Sequence, residues 1–450
     1  MTGPIMLMLV IAPLLVGCVA YHAQPLRLTV KLHRSVATLD HTLPGGRMIN
    51  LSAPLSPQTM AALAVLNDPA LRAARAQIGV AQAQILAAAL PPDPSLQGGF
   101  GALLGGPAVA PSIAGSFSQD LANLVTIGAR LEAARARADE VAANIVWQEW
   151  QVASQAETLS AALWTDRRKI AALDQARAAL RTLVNTGAQQ VAAGNITIDQ
   201  AALARASLAN LDAARDLAAQ QAEADHAALA GLLGLSPAAR IKIARPAIDQ
   251  LAPQVTDHLL MTLSTRRPDL IALRYGYRAA NADLRSAILA QFPLLSLSVN
   301  GGSDTSQVAT VGPSLSLNLP LFNRNRGNIA VMRATRRQLR ASYTAALASA
   351  ESGAVAAQQA LAALEQQRRR AAARLVQADQ AMRMARRAYR AHLIDGRAAA
   401  DLIDQLVQRR IELIDLDQKI AAARIARATI LAAGLPSVGA RNVHVDGAAR

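Results

Sequence analysis

Residues 293–322 constrain the chain most, because they alternate like strands while everything around them repeats like helix. Leu295, Leu297 and Val299 are separated by Ser296 and Ser298, and after a polar loop Leu315, Leu317, Leu319 and Leu321 alternate with Ser314, Ser316 and Asn318. Two runs of period two, joined by the polar residues 301–306, read as a hairpin with one oily face and one hydroxyl-rich face. Each run is about ten residues long, the length of a tilted strand that crosses a bilayer. A soluble sheet would be followed by a helix of ordinary length to cover its apolar face. Helical pattern instead continues over 326–393, far beyond the roughly 8–20 residues of a globular helix.

Composition fits long packed helices better than a conventional core. Aromatic residues make up only 3%, and the flanks are dominated by Ala, Leu, Arg and Gln, which let helix backbones approach closely. The formal net charge is +15, a balance that often marks nucleic-acid or anionic-membrane partners. The arginines, however, are spread along the helical segments, with one cluster at Arg368, Arg369, Arg370 and Arg374 and no interleaved aromatics. Solvated helix faces are the reading, with no nucleic-acid partner. The single cysteine, Cys18, excludes an internal disulfide or a cysteine zinc site.

In chain order, residues 1–17 carry a short apolar run that suits a signal peptide rather than a spanning helix. It ends in small residues before Cys18. Residues 18–56 read as an extended arm. A first repeat over 57–235 opens with helix over 68–90, continues with strands at about 95–103 and 112–119, and then has helices at 127–193 and 198–233. A linker follows over 236–255. The second repeat, 256–436, has a helix, strands at about 294–301 and 311–321, and helices at 326–393 and 399–433. Residues 437–450 read as a flexible tail.

The repeat itself is visible at a constant offset: Pro69, Leu71, Ala73 and Arg75 match Pro268, Leu270, Ala272 and Arg274, 199 residues on. The helical breaks match at an offset of 202, setting Gly194 to Asp199 against Gly396 to Asp401. The predicted fold is mainly α with a small β part, each repeat being a β-hairpin plus a long antiparallel helical pair. Four strands cannot close a membrane barrel, since the smallest have about eight, and open edges cannot be left in lipid. Three copies supply twelve strands, so a trimer is expected to form a 12-stranded β-barrel continuous with a helical one.

The chain resembles the TolC-like outer-membrane efflux factors, in particular their lipoprotein branch. The features that carry the resemblance are the two-repeat order, the lipobox-like residues ending at Cys18, the run Arg266, Arg267, Pro268, Asp269, Leu270, and the run from Leu319 to Ile329. The second run looks like that of the heavy-metal efflux members. The resemblance implies a homotrimer lipid-anchored at Cys18 in the outer membrane and extending into the periplasm. It implies two partners, a periplasmic adaptor and an inner-membrane transporter, RND-type by this resemblance. It implies an aspartate-lined periplasmic aperture at Asp401 and Asp404, three apart on one helix face, and a tip-closing link between Asp199 and Arg397. Adaptor-docking tips are implied at Gly194, Asn195, Ile196, Thr197, Asp395 and Gly396. Metal cations, drugs or other small molecules are the implied substrates, with no cofactor and no resident metal.

An enzyme needs convergent groups in a protected site. The seven histidines, among them His33, His41, His226, His258 and His392, are scattered, and no catalytic constellation is present. Trp147 and Trp150, three apart on a helix, read as helix-contact residues. The alternative function is a periplasmic adaptor of such a pump, which predicts one helical hairpin inserted into β domains rather than two repeats. A basic coiled-coil scaffold inside the cell has no use for an export signal or for alternating Leu/Ser strands.

Overall fold

The structure, a computed structural model, describes residues 21–433 apart from 27, 30, 31, 44, 103, 106–109, 247–253, 293, 319, 320 and 392. The leader expected over 1–17, Cys18 and the tail over 437–450 lie outside the described residues. The elements are α1 (Pro57–Asn67), α2 (Pro69–Ala89), β1 (Ser95–Gly101), β2 (Ser112–Asp120), α3 (Ala122–Ala192), α4 (Ile198–Leu232), α5 (Asp257–Met261) and α6 (Leu263–Arg266). They continue with α7 (Pro268–Leu289), β3 (Leu294–Ser303), β4 (Ala309–Asn318), α8 (Arg326–Arg390) and α9 (Gly396–Ile430). The chain is mainly helical with a small β part.

Helices α3 and α8 are unbroken rods of 71 and 65 residues, about 105 and 100 Å long at ~1.5 Å per residue. Each rod has shorter helices beside it: α2 and α7 towards the sheet, α4 and α9 towards the far end. The seams are alanine-rich, with Ala133, Ala143, Ala280, Ala282, Ala354 and Ala371 all buried. Small residues allow the close approach, and tertiary packing rather than local propensity then holds the rods straight. No described helix is long and apolar enough to cross a membrane.

The repeat is structural. Pro69 and Pro268 are each the first residue of their helices, α2 and α7, where a missing N–H leaves no bond unmade. Leu71 and Leu270 are both buried two positions later.

At the far end the two breaks differ from the sequence pairing. Rod α3 closes with a Schellman turn, in which the Asn195 N–H donates to the Gln190 carbonyl at 2.9 Å and the Gly194 N–H to Val191 at 3.0 Å. Gly194 sits at φ +73°, which glycine adopts without a Cβ penalty. Gly396 has no such role. It is the first residue of α9, capped by Asp395, whose carboxylate accepts the Ala398 N–H at 2.8 Å. The offset of 202 is therefore corrected: the helix starts Ile198 and Gly396, and the ends Leu232 and Ile430, are 198 apart. The caps Thr197 and Asp395 are the equivalent residues, and glycine spacing misled because the two glycines lie on opposite sides of their caps. This also starts α9 three residues before 399.

Partway along α3 a compact core forms where the sequence reads as arm and linker. The His33 N–H donates to Gly234 at 3.1 Å and the Leu55 N–H to Lys242 at 2.9 Å. Val36, Leu39 and Leu55 pack with Met60, Leu63, Leu163, Leu229, Leu235, Ile241 and Ile243. These apolar residues come in runs too short to show a period. A second core nearer the tip joins Leu173 and Leu180 of α3 to Leu211 of α4 and to Ala400 and Val407 of α9.

The Arg266 to Leu270 motif ties three elements together. Arg266 donates to the Ala432 carbonyl at 2.9 Å and Arg267 to Ile430 at 3.2 Å, at the end of α9. Arg267 also grips the Asp269 carboxylate with two bonds, at 3.0 and 2.6 Å. Its guanidinium lies 5.1 Å from the Trp147 ring centroid on α3, a cation–π contact. Trp147 is thus a helix-contact residue.

Candidate functional site

The four described strands form one antiparallel sheet in the order β1-β2-β3-β4. Register places Phe117 opposite both Leu96 and Val299, Leu297 opposite Leu315, and Phe100 opposite Ile113. Cross-strand partners share a face, so these residues and Val311 make one apolar face. Gln97, Ser116, Ser118, Ser296, Ser298, Asn300, Ser314 and Ser316 make the other. Hydroxyl pairs bind across that polar face, Ser95 to Ser118 at 2.7 Å and Ser298 to Ser314 at 2.7 Å.

No described part of the chain covers the apolar face: Phe100 is 70% and Leu315 66% exposed. Strands β1 and β4 each pair on one side only. In water such a sheet would be an aggregation edge with an uncompensated apolar patch. In lipid the apolar face is compensated, and the edges are satisfied by joining further strands into a closed wall.

At the opposite end, the two helical turns meet around a cavity of about 480 Å³ whose lining includes Asn195, Ile196, Tyr389, Asp395, Gly396 and Arg397. The structure therefore brings Asn195, Ile196, Asp395, Gly396 and Arg397 together. Gly194, Thr197 and Asp199 stand outside that lining. The Asp199 carboxylate is bonded by the Thr197 hydroxyl and by backbone N–H groups of Asp199 and Gln200, which hold it below the usual carboxylate range. Among the described residues no ion pair joins Asp199 to Arg397. Asp401 is exposed and Asp404 half-buried, one turn apart on α9, while Ala400 and Val407 beside them face the tip core.

Two buried acids whose carboxyls are raised escaped the sequence reading. Glu157 on α3 is 1% exposed, its Oε1 has no hydrogen-bond partner among the described residues, and burial pushes its carboxyl up to about 7. Asp166, also buried, is raised to about 6, first by burial and then by the neighbouring Asp225. Nothing in a run of Ala, Gln and Glu along a rod distinguishes a core acid from a surface one.

A sheet with one lipid-compatible face and open edges, joined to rods about 100 Å long, defines the class: the fold is that of the TolC-like outer-membrane channels. CusC, described in a structural study of folding and transmembrane channel formation, superposes with a TM-score of 0.72 at 17% identity, covering 90% of this chain and 100% of that one. The CmeC outer membrane channel of Campylobacter jejuni superposes with a TM-score of 0.71 at 15% identity, covering 92% and 94%. In sequence, outer membrane protein OprJ of Pseudomonas aeruginosa is 29% identical over 202 residues, a stretch that covers 40% of this chain and 40% of that protein. No protein-family model matches the chain. Two repeats of hairpin plus long helical pair differ from the single helical hairpin inserted into β domains that the adaptor alternative predicts.

Proposed function

We propose that the chain is one protomer of the outer-membrane exit duct of a tripartite efflux pump. One observation carries this reading: a four-stranded sheet exposed on both faces, apolar on one and hydroxyl-rich on the other, with both edges open. Three protomers close a 12-stranded wall, lipid outside and water inside, and the rods prolong the duct into the periplasm. Cys18, acylated after export, tethers each protomer beside the wall.

The duct conducts passively what an inner-membrane transporter delivers. A periplasmic adaptor docks on the tips at Gly194, Asn195, Ile196, Thr197, Asp395 and Gly396. Asp401 and Asp404, repeated in three chains, bring six carboxylates to the narrow end, where like charges repel and cations are favoured. The Asp401→Asn/Asp404→Asn variant is expected to lower cation selectivity, read as a reversal potential across a planar bilayer.

Fractionation and mass test the whole reading. The protein is expected in the membrane fraction, resistant to carbonate extraction, with a detergent-corrected mass three times that of one chain. A monomer, or recovery in the soluble fraction, overturns it.

A further inference from the structure

Partway along the rods, α3, α8, α9 and residues 245–246 line a half-open cavity of about 370 Å³. Five arginines line it: Arg168, Arg245, Arg368, Arg369 and Arg424. Among the described lining residues two acids accompany them. Asp417 is clasped between Arg168 at 3.1 Å and Arg368 at 2.6 Å, and Glu365 accepts from Arg424 at 2.9 Å. Both acids are thus engaged, and among the described lining residues five positive charges face two negative. Arg245 and Arg369 have no ion-pair partner among the described residues. Trp164 and Ile420 form an apolar part of the wall, where charge–charge attraction is stronger than in open water.

We propose that this cavity binds a small oxyanion of two or more negative charges, phosphate or carboxylate, gripped by the free guanidinium forks of Arg245 and Arg369. Planar guanidinium matches such oxygens with paired N–H donors. Arg168 lies 46 residues into α3, roughly 70 Å from the sheet at ~1.5 Å per residue, so headgroups of the membrane holding the sheet are out of reach. The anion is then either a free solute or a carboxylate of a polymer in the compartment the rods cross. That depth argument rests on the sheet lying in a membrane; the binding site, built by one chain, does not.

Calorimetric titration of the detergent-extracted protein with inorganic phosphate, citrate and poly-L-glutamate tests it at fixed chloride. Saturable binding is expected. Phosphate or citrate binding tighter than the polymer identifies a free solute, and the reverse identifies polymer carboxylates. Arg245→Ala/Arg369→Ala is expected to weaken binding about tenfold or more per arginine removed, while Arg340→Ala, outside the cavity, leaves it unchanged. Asp417→Asn is expected to tighten binding several-fold by releasing Arg168 and Arg368, a gain that damage to the fold cannot mimic. No saturable binding of any probe, or unchanged affinity in either cavity variant, overturns the proposal.

Discussion

Arg75 and Arg274, 199 residues apart, make the same hydrogen bond: each guanidinium reaches back ten residues to a backbone carbonyl, Val65 at 2.7 Å and Ser264 at 3.4 Å. The first copy does more. Arg75 also bonds the buried Glu149 at 3.0 and 2.7 Å, so removing it strands a carboxylate out of water. Arg75→Ala is expected to cost about 2–3 kcal/mol and Arg274→Ala about 1, read as the difference in thermal midpoints of the two purified variants. Equal losses would mean that Glu149 finds another donor.

Glu157 makes stability depend on pH in a direction opposite to most acids. Its folded carboxyl is raised to about 7 from an ordinary value of 4.5, so the native state holds the proton more tightly than the unfolded chain. The contribution is fully present below pH 4.5, falls as pH rises, and is lost above about 7, a change of about 3 kcal/mol. Glu157→Gln is expected to remove this slope and to stabilise the protein at pH 8. Thermal midpoints measured at pH 5 and pH 8 decide it: the wild type should drop relative to the variant.

The second repeat carries a strained turn that the first avoids. Ala432 at φ +52° occupies the position of Gly234 at φ +64°, and both turns close the same way, with Leu235 bonding Ala230 and Ala433 bonding Ala428. An L-residue pays roughly 1 kcal/mol in that conformation, so Ala432→Gly is expected to gain up to about that much. A lowered thermal midpoint would contradict it.

What the sequence made legible follows from which residues act locally. Leu295, Leu297, Leu315 and Leu317 announce their strand because alternation is a property of neighbours. Pro69 and Pro268 announce helix starts, because proline suits only a few positions. The rods were legible as unbroken helical pattern. The core partway along α3 was not, since Leu39, Leu55, Ile241 and Ile243 sit in short irregular segments and become a core only when segments distant in sequence meet. Caps outvoted glycines at the tips, and Glu157 looks like any surface glutamate until α1 and α4 close over that stretch of α3. At the candidate site, the sheet faces were readable from period two, whereas the shared tip cavity depends on how two hairpins 198 residues apart lie side by side.

The two faces of the sheet should tolerate charge unequally. Leu297→Arg or Leu315→Arg puts a guanidinium on the apolar face and is expected to cost roughly 2–4 kcal/mol near a bilayer's centre. Ser316→Arg, on the hydroxyl face, should cost much less. The yield of folded oligomer in outer-membrane fractions measures both, and equal yields from Leu315→Arg and Ser316→Arg would remove the assignment of faces.

Asp199 and Arg397 are each the second residue of the helix that returns from the tip, 198 positions apart. Opposite charges thus stand at one repeated position. Within a single chain Asp199 is occupied by Thr197, and Arg397 is exposed beside the tip cavity. A ring of identical protomers, in which first and second repeats alternate, supplies a geometry in which such a pair holds neighbouring tips together, and we propose this as the tip-closing link. Asp199→Ala/Arg397→Ala is then expected to raise the conductance of the purified channel in planar bilayers, and each single variant should do most of what the double does, because either loss breaks the same contact. The charge-swapped variant, Asp199→Arg/Arg397→Asp, should restore the low conductance. If the swap conducts like the double alanine variant, the two residues act separately.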